Sequence, residues 1–196
     1  MVLASGIRRL WGLGAACIVL VAVAIAAQPA RADTRVVKGG DTTLYVNVPD
    51  LIRLWSDGIQ ITPIAPATID LTAGTSHFPV GTGVADAALK TATVTHNGGL
   101  RLTKAKINQT IDATNITLAC LPVVGCRILN TANNLLPNEL AELRDVTWSD
   151  NGNGTVTVFG SAYVGPVTAL ALNTLFQSNA FYDGMFLGNI RSELKY

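Results

Sequence analysis

Thr91-Ala92-Thr93-Val94-Thr95-His96-Asn97-Gly98-Gly99-Leu100-Arg101-Leu102 decides the fold of this chain. Threonine and small or apolar residues alternate with a period of two, the mark of a strand with one buried face. Ala92, Val94 and His96 share a face, as do Leu100 and Leu102. Opposed residues of a hairpin must point the same way. A two-residue turn would oppose Thr95 to Leu100 and mix the faces. A loop of Asn97-Gly98-Gly99 opposes His96 to Leu100 and Val94 to Leu102, and glycine suits such a loop. The stretch therefore predicts an antiparallel hairpin.

Val146-Thr147-Trp148 and Thr155-Val156-Thr157-Val158 repeat the pattern around Asn151-Gly152-Asn153. Here Trp148 is expected opposite Val156 and Val146 opposite Val158. Further strands are predicted at 43–46, 58–64, 76–80, 116–120, 159–164 and 186–193, with Ile116, Leu118 and Cys120 facing inward. Pro49, Pro137 and Pro166 each precede apolar residues at helical spacing. Proline is tolerated in a first helical turn, where its missing N–H had no partner. In the third segment Val167, Leu170, Ala171 and Leu175 form the expected inner stripe. The predicted fold is mainly β, an antiparallel β-sandwich or barrel-like sheet with two or three short capping helices. A faint internal echo runs through it: Leu44-Tyr45-Val46 and Ala162-Tyr163-Val164 each lead to a proline, a helix, a glycine and a strand.

The chain around this sheet has 196 residues, with 49% hydrophobic, 14% charged and a formal net charge of +1. Ordinary soluble domains carry about 25% charged residues. The apolar content excludes a disordered chain. A formal charge of +1 argues against an electrostatic nucleic-acid binder, because phosphate contact needs clustered Lys and Arg. Arg8-Arg9, an uncharged stretch from Leu10 to Ala27, and Ala30-Arg31-Ala32 follow the order of a secretory signal peptide. Residues 1–32 are expected to be a signal cleaved near Ala32, and residues 33–196 a single exported β-rich domain. That domain has 11 basic and 13 acidic residues, a net charge of −2. It contains no further apolar run of transmembrane length. Secretion or display on the cell surface is the expected location.

Export leaves two cysteines in Cys120-Leu-Pro-Val-Val-Gly-Cys126, and a structural disulfide is expected between them. Its seven-residue loop corresponds to about 2.4 kcal/mol of chain-entropy stabilisation. Catalytic patterns are sparse. His77 and His96 are the two histidines, at no metal-ligating spacing. Ser76 and His77 are strand neighbours and point to opposite faces. Glu139 and Glu142 suit a solvated face, and Asp150-Asn151-Gly152-Asn153-Gly154 suits a turn better than a calcium loop. Asn108, Asn115 and Asn153 begin glycosylation sequons. The expectation is a non-enzymatic protein of the bacterial envelope or medium, acting by binding or structural contact, with a small secreted hydrolase as the last-ranked alternative.

Residues 77 to about 115 also carry a resemblance. Phe78-Pro79-Val80, Gly83, Thr93-Val94-Thr95-His96-Asn97-Gly98-Gly99-Leu100-Arg101-Leu102, Ile107 and Ile111 resemble the HtaA-type domain of secreted and cell-surface bacterial proteins. The resemblance implies a mostly β fold with a short helix. It also implies haem as a cofactor, its iron held by a tyrosine assisted by a histidine. His96 matches the motif histidine, and Tyr45 is the tyrosine available upstream of it. The candidate partners are therefore an envelope protein or a small ligand such as haem, with no nucleic acid.

Overall fold

The computed structural model describes residues 33–130 and 135–196. The expected signal peptide lies outside the described residues. Among the described residues thirteen strands and two α-helices form. In chain order they are β1 (Arg35–Val37), β2 (Gly39–Val46), α1 (Val48–Ser56), β3 (Ile59–Ile64), β4 (Thr68–Asp70), β5 (Thr75–Asp86), β6 (Thr91–His96) and β7 (Gly99–Lys104). They continue with β8 (Gln109–Thr114), β9 (Ile116–Leu121), β10 (Gly125–Asn130), β11 (Glu139–Asp150), β12 (Thr155–Val164), α2 (Pro166–Phe176) and β13 (Phe186–Lys195).

Eight strands in the order β5-β2-β13-β12-β11-β10-β9-β6 form an antiparallel sheet that closes, because β6 pairs back onto β5. β1 and β4 add short pairings along β5. A separate sheet contains β3, β7 and β8. The architecture is a barrel-like sheet with a small second sheet and two helices, as the alternating threonines predict. Closure removes the exposed edges that an open sheet would leave unpaired.

Two apolar clusters fill the molecule. One lies inside the barrel and includes Val94, Val156, Val158 and Leu194. The other joins the inner face of the small sheet, with Ile59, Leu102 and Ile111, to Leu54 of α1 and to Leu172 and Phe176 of α2. Both helices start as their prolines predict. Asn47 Nδ2 donates to Asp50 at 2.7 Å beside the start of α1. Lys104, buried at the end of β7, donates to Asp57 at 2.9 Å and to the Gln177 carbonyl at 3.5 Å. It thereby ties the ends of both helices to the small sheet. The Ser178 hydroxyl and then Lys104 hold the Asp57 carboxyl below the usual carboxylate range.

The first predicted hairpin does not form. β6 pairs β5 and β9 in the barrel, whereas β7 pairs β3 and β8 in the small sheet. Asn97-Gly98-Gly99 is the point at which the chain changes sheets. A Cβ on Gly98 would lie 2.4 Å from the Ile64 carbonyl oxygen, and one on Gly99 would lie 2.0 Å from that of Ala113. The glycines serve close passage between two sheets and not a hairpin turn.

The second hairpin forms with a longer loop. Trp148 pairs Val158 and Asp150 pairs Val156, a shift of two residues from the expected register. A shift of two keeps every side chain on its expected face. The extra length is absorbed by Gly152 and Gly154 at positive φ, with Asp150 Oδ1 accepting from the Gly152 N–H.

Pro137 does not open a helix. Glu139–Asp150 is a strand in which Ala141 and Leu143 face inward. Their alternation with Glu142 and Arg144 outweighs the three-residue spacing of Leu140 and Leu143. On α2 the buried residues are Thr168, Ala169, Leu172 and Phe176, and the expected inner stripe is displaced. Val167 is 67% exposed and Leu170 is 69% exposed. The helix is apolar around most of its circumference, so spacing alone does not choose a face. The internal echo holds through the proline-led helices but ends there, since β3 enters the small sheet and β13 returns to the barrel.

Candidate ligand-binding site

The two apolar clusters do not meet everywhere. Between them lies a cavity of about 170 Å³ whose wall is almost entirely hydrocarbon. The barrel contributes Leu44, Phe78, Leu118 and Ile190, and the opposite wall includes Leu54 from α1 and Leu172 from α2. The side chains with hydrogen-bonding groups in the wall are Thr42, His96, Thr168 and Ser192.

His96 ends β6 and faces the barrel interior, 4% exposed. Its Nδ1–H donates to the Ile116 carbonyl at 3.0 Å. That carbonyl can only accept, so the proton sits on Nδ1. Nε2 of the neutral ring then accepts from the Thr42 hydroxyl at 2.7 Å. Thr42 Oγ1 in turn lies 2.7 Å from Ser192 Oγ, which donates to it. Burial pushes the His96 pKa below its ordinary value, against the opposing pull of the Ile116 carbonyl and the Asp41 charge. The result is a short polar string, Ser192 to Thr42 to His96 to Ile116, set into an apolar wall.

Tyr45 stands elsewhere. Thr42 and Leu44 of β2 face the cavity, so Tyr45 projects from the outer face, 44% exposed. His96 and Tyr45 lie on opposite sides of the barrel wall and are not brought together. His77 is also on the outer face, where its Nδ1 bonds Asp41 Oδ2 at 2.9 Å. Cys120 and Cys126 oppose each other on β9 and β10 and form the expected disulfide. Among the described residues no group of three or more His, Cys, Asp or Glu is placed to hold a metal ion. No described helix is long and apolar enough to cross a membrane.

The surroundings of His96 do not fit a haem iron. Both ring nitrogens are already engaged, and no tyrosine lines the cavity. The volume matches a much smaller guest, since an apolar cavity of about 150 Å³ is enough for benzene. Thr42 and Ser192 were not singled out from the sequence. Their signal was nonetheless present: each is a polar residue in the inward phase of its strand, two positions from Leu44 and from Ile190 and Leu194.

A closed β-barrel with an apolar cavity beside its helices and a small second sheet defines the architectural class. Within that class the fold is HtaA-like. The crystal structure of the C-terminal domain of HtaA from Corynebacterium glutamicum superposes with a TM-score of 0.56 at 14% identity, covering 82% of this chain and 98% of that one. The crystal structure of the heme binding protein HtaB from the same organism gives 0.37 at 14% identity, covering 83% and 95%. No family model matches the chain, and no curated protein does.

Proposed function

We propose that this chain is an exported, non-enzymatic binding module that holds a small, predominantly apolar ligand in the cavity between the barrel and its cap. The observation that carries this reading is the cavity itself: about 170 Å³, lined by hydrocarbon side chains from both sheets and both helices. A native interior is ordinarily packed without voids of this size. Maintaining one costs stability that tighter packing would recover. The secretory pattern of residues 1–32 supports action outside the cytoplasm.

Calorimetric titration of the purified protein with toluene tests the reading. Saturable binding that is lost in Leu172→Trp, which fills the chamber, supports it. Absence of binding in a folded wild-type protein overturns it.

Haem is the second reading, favoured by the HtaA-like fold together with His96 at the motif position. Titration with haemin separates the two. The cavity reading expects no Soret shift that depends on His96. A shift abolished by His96→Ala puts haem at this site instead.

A further inference from the structure

We infer that the cavity is the inner part of a longer site, and that the ligand is an unbranched alkyl chain of about ten carbons that threads into it through a second, outer chamber. The inference rests on the proposed binding function and adds the shape and class of the ligand.

The second chamber has about 110 Å³ and, like the cavity, is walled almost entirely by hydrocarbon. Leu44, Leu54, Ile61, Leu100 and Leu187 line both spaces. They come from β2, α1, β3, β7 and β13, and together they form the partition between the two. The barrel wall runs on past that partition. On β2, Thr42 lines the cavity, Leu44 lines both spaces and Val46 lines the second chamber. On the neighbouring β5, Phe78 pairs Thr42 and lines the cavity, whereas Ser76 pairs Leu44 and lines the second chamber. Inward residues of a strand follow each other at about 7 Å. The two spaces are therefore consecutive along one trough.

The outer end of that trough meets water. Among the described residues, those lining the cavity are buried or partly buried, whereas Leu71 in the wall of the second chamber is 61% exposed. A molecule entering here passes Leu71 and then the partition. All five partition side chains are aliphatic, so displacing them breaks no side-chain hydrogen bond. A chain needs a passage only as wide as a methylene, whereas a rigid ring system of equal volume would have to clear the partition entirely. An apolar cavity of about 150 Å³ accepts the six carbons of benzene, so the cavity suits about seven carbons and the second chamber about four more. A polar group inside either space would face hydrocarbon, which is costly. The polar end of the chain therefore stays at the mouth, in water.

Calorimetric titration with the straight-chain alcohols from 1-pentanol to 1-dodecanol tests this, with toluene as the reference for the cavity alone. The proteins are wild type, Ile69→Trp and Leu51→Trp. Ile69 and Leu51 line the second chamber but not the cavity, and they lie on different elements, so the readout survives if one variant fails to fold. Wild type should gain about threefold to fourfold in affinity per added methylene, levelling off at about ten or eleven carbons. In the folded variants the gain should stop at about seven carbons, with toluene bound as in wild type. A wild-type series that already levels off at about seven carbons, with toluene still bound, overturns the inference and leaves the cavity reading intact. A series that climbs equally far in wild type and variants, or variants that lose toluene together with the long chains, overturns it as well. Failure of toluene to bind folded wild type defeats the cavity reading, and the inference with it.

Discussion

At the scale of single residues, His96 shows how a sequence motif and a structural role can separate. Its inward phase was legible, because Ala92 and Val94 set the parity of β6. Its partners were not, since Thr42 and Ser192 lie 54 and 96 positions away and meet it only through barrel closure. The buried ring gives a pH signature. In the unfolded chain a histidine takes up its proton near pH 6.5, whereas burial holds the folded His96 neutral to lower pH. Stability is thus full above that value and falls as pH drops below it, by at most about 1.4 kcal/mol per pH unit. Urea unfolding between pH 7.5 and 5 should show this slope in wild type. A folded His96→Gln variant should be less stable at pH 7.5 and show a flatter profile. The lowered carboxyls of Asp57 and Asp112 act at more acid pH, below about 4. Gly99 is a second decisive residue. Gly99→Ala should cost about 2–4 kcal/mol in the same assay, because its Cβ would press on the Ala113 carbonyl.

At the scale of elements, local chemistry was read well and pairing poorly. The prolines of α1 and α2 and the alternation of β2, β5, β9, β12 and β13 gave elements close to those observed. The hairpin at Asn97 failed because glycines that permit a turn also permit a close crossing, and the difference depends on Ile64 and Ala113 in distant strands. The helix at Pro137 failed because three-residue and two-residue spacings overlap in so short a segment. The face of α2 failed because the helix presents apolar groups on both sides. That last assignment has a direct test. Leu172→Ala should destabilise the fold by about 2–5 kcal/mol, as a buried truncation does. Leu170→Ala, on the exposed side, should stay within about 0.5 kcal/mol of wild type. Thermal unfolding of the two variants checks both.

At the scale of the whole molecule, the mainly β class and its capping helices were legible, whereas the chamber was not. A cavity arises from how two apolar clusters fail to touch, and no single segment encodes that. Occupancy should be visible globally. Ligand at 100 times its dissociation constant adds about 2.7 kcal/mol, a rise of roughly 5–10 °C in Tm for a chain of this size. Barrel closure carries a further consequence. β2, near the start of the described chain, is hydrogen-bonded along its length to β13, whose partners run from Gly39–Lys195 to Val46–Gly188. Deleting residues 186–196 should therefore abolish cooperative unfolding altogether, as monitored by circular dichroism. A polypeptide emerging N-terminus first from a ribosome cannot seal its barrel until β13 is free. Its early strands must wait as an incomplete wall, so folding is timed by release of β13.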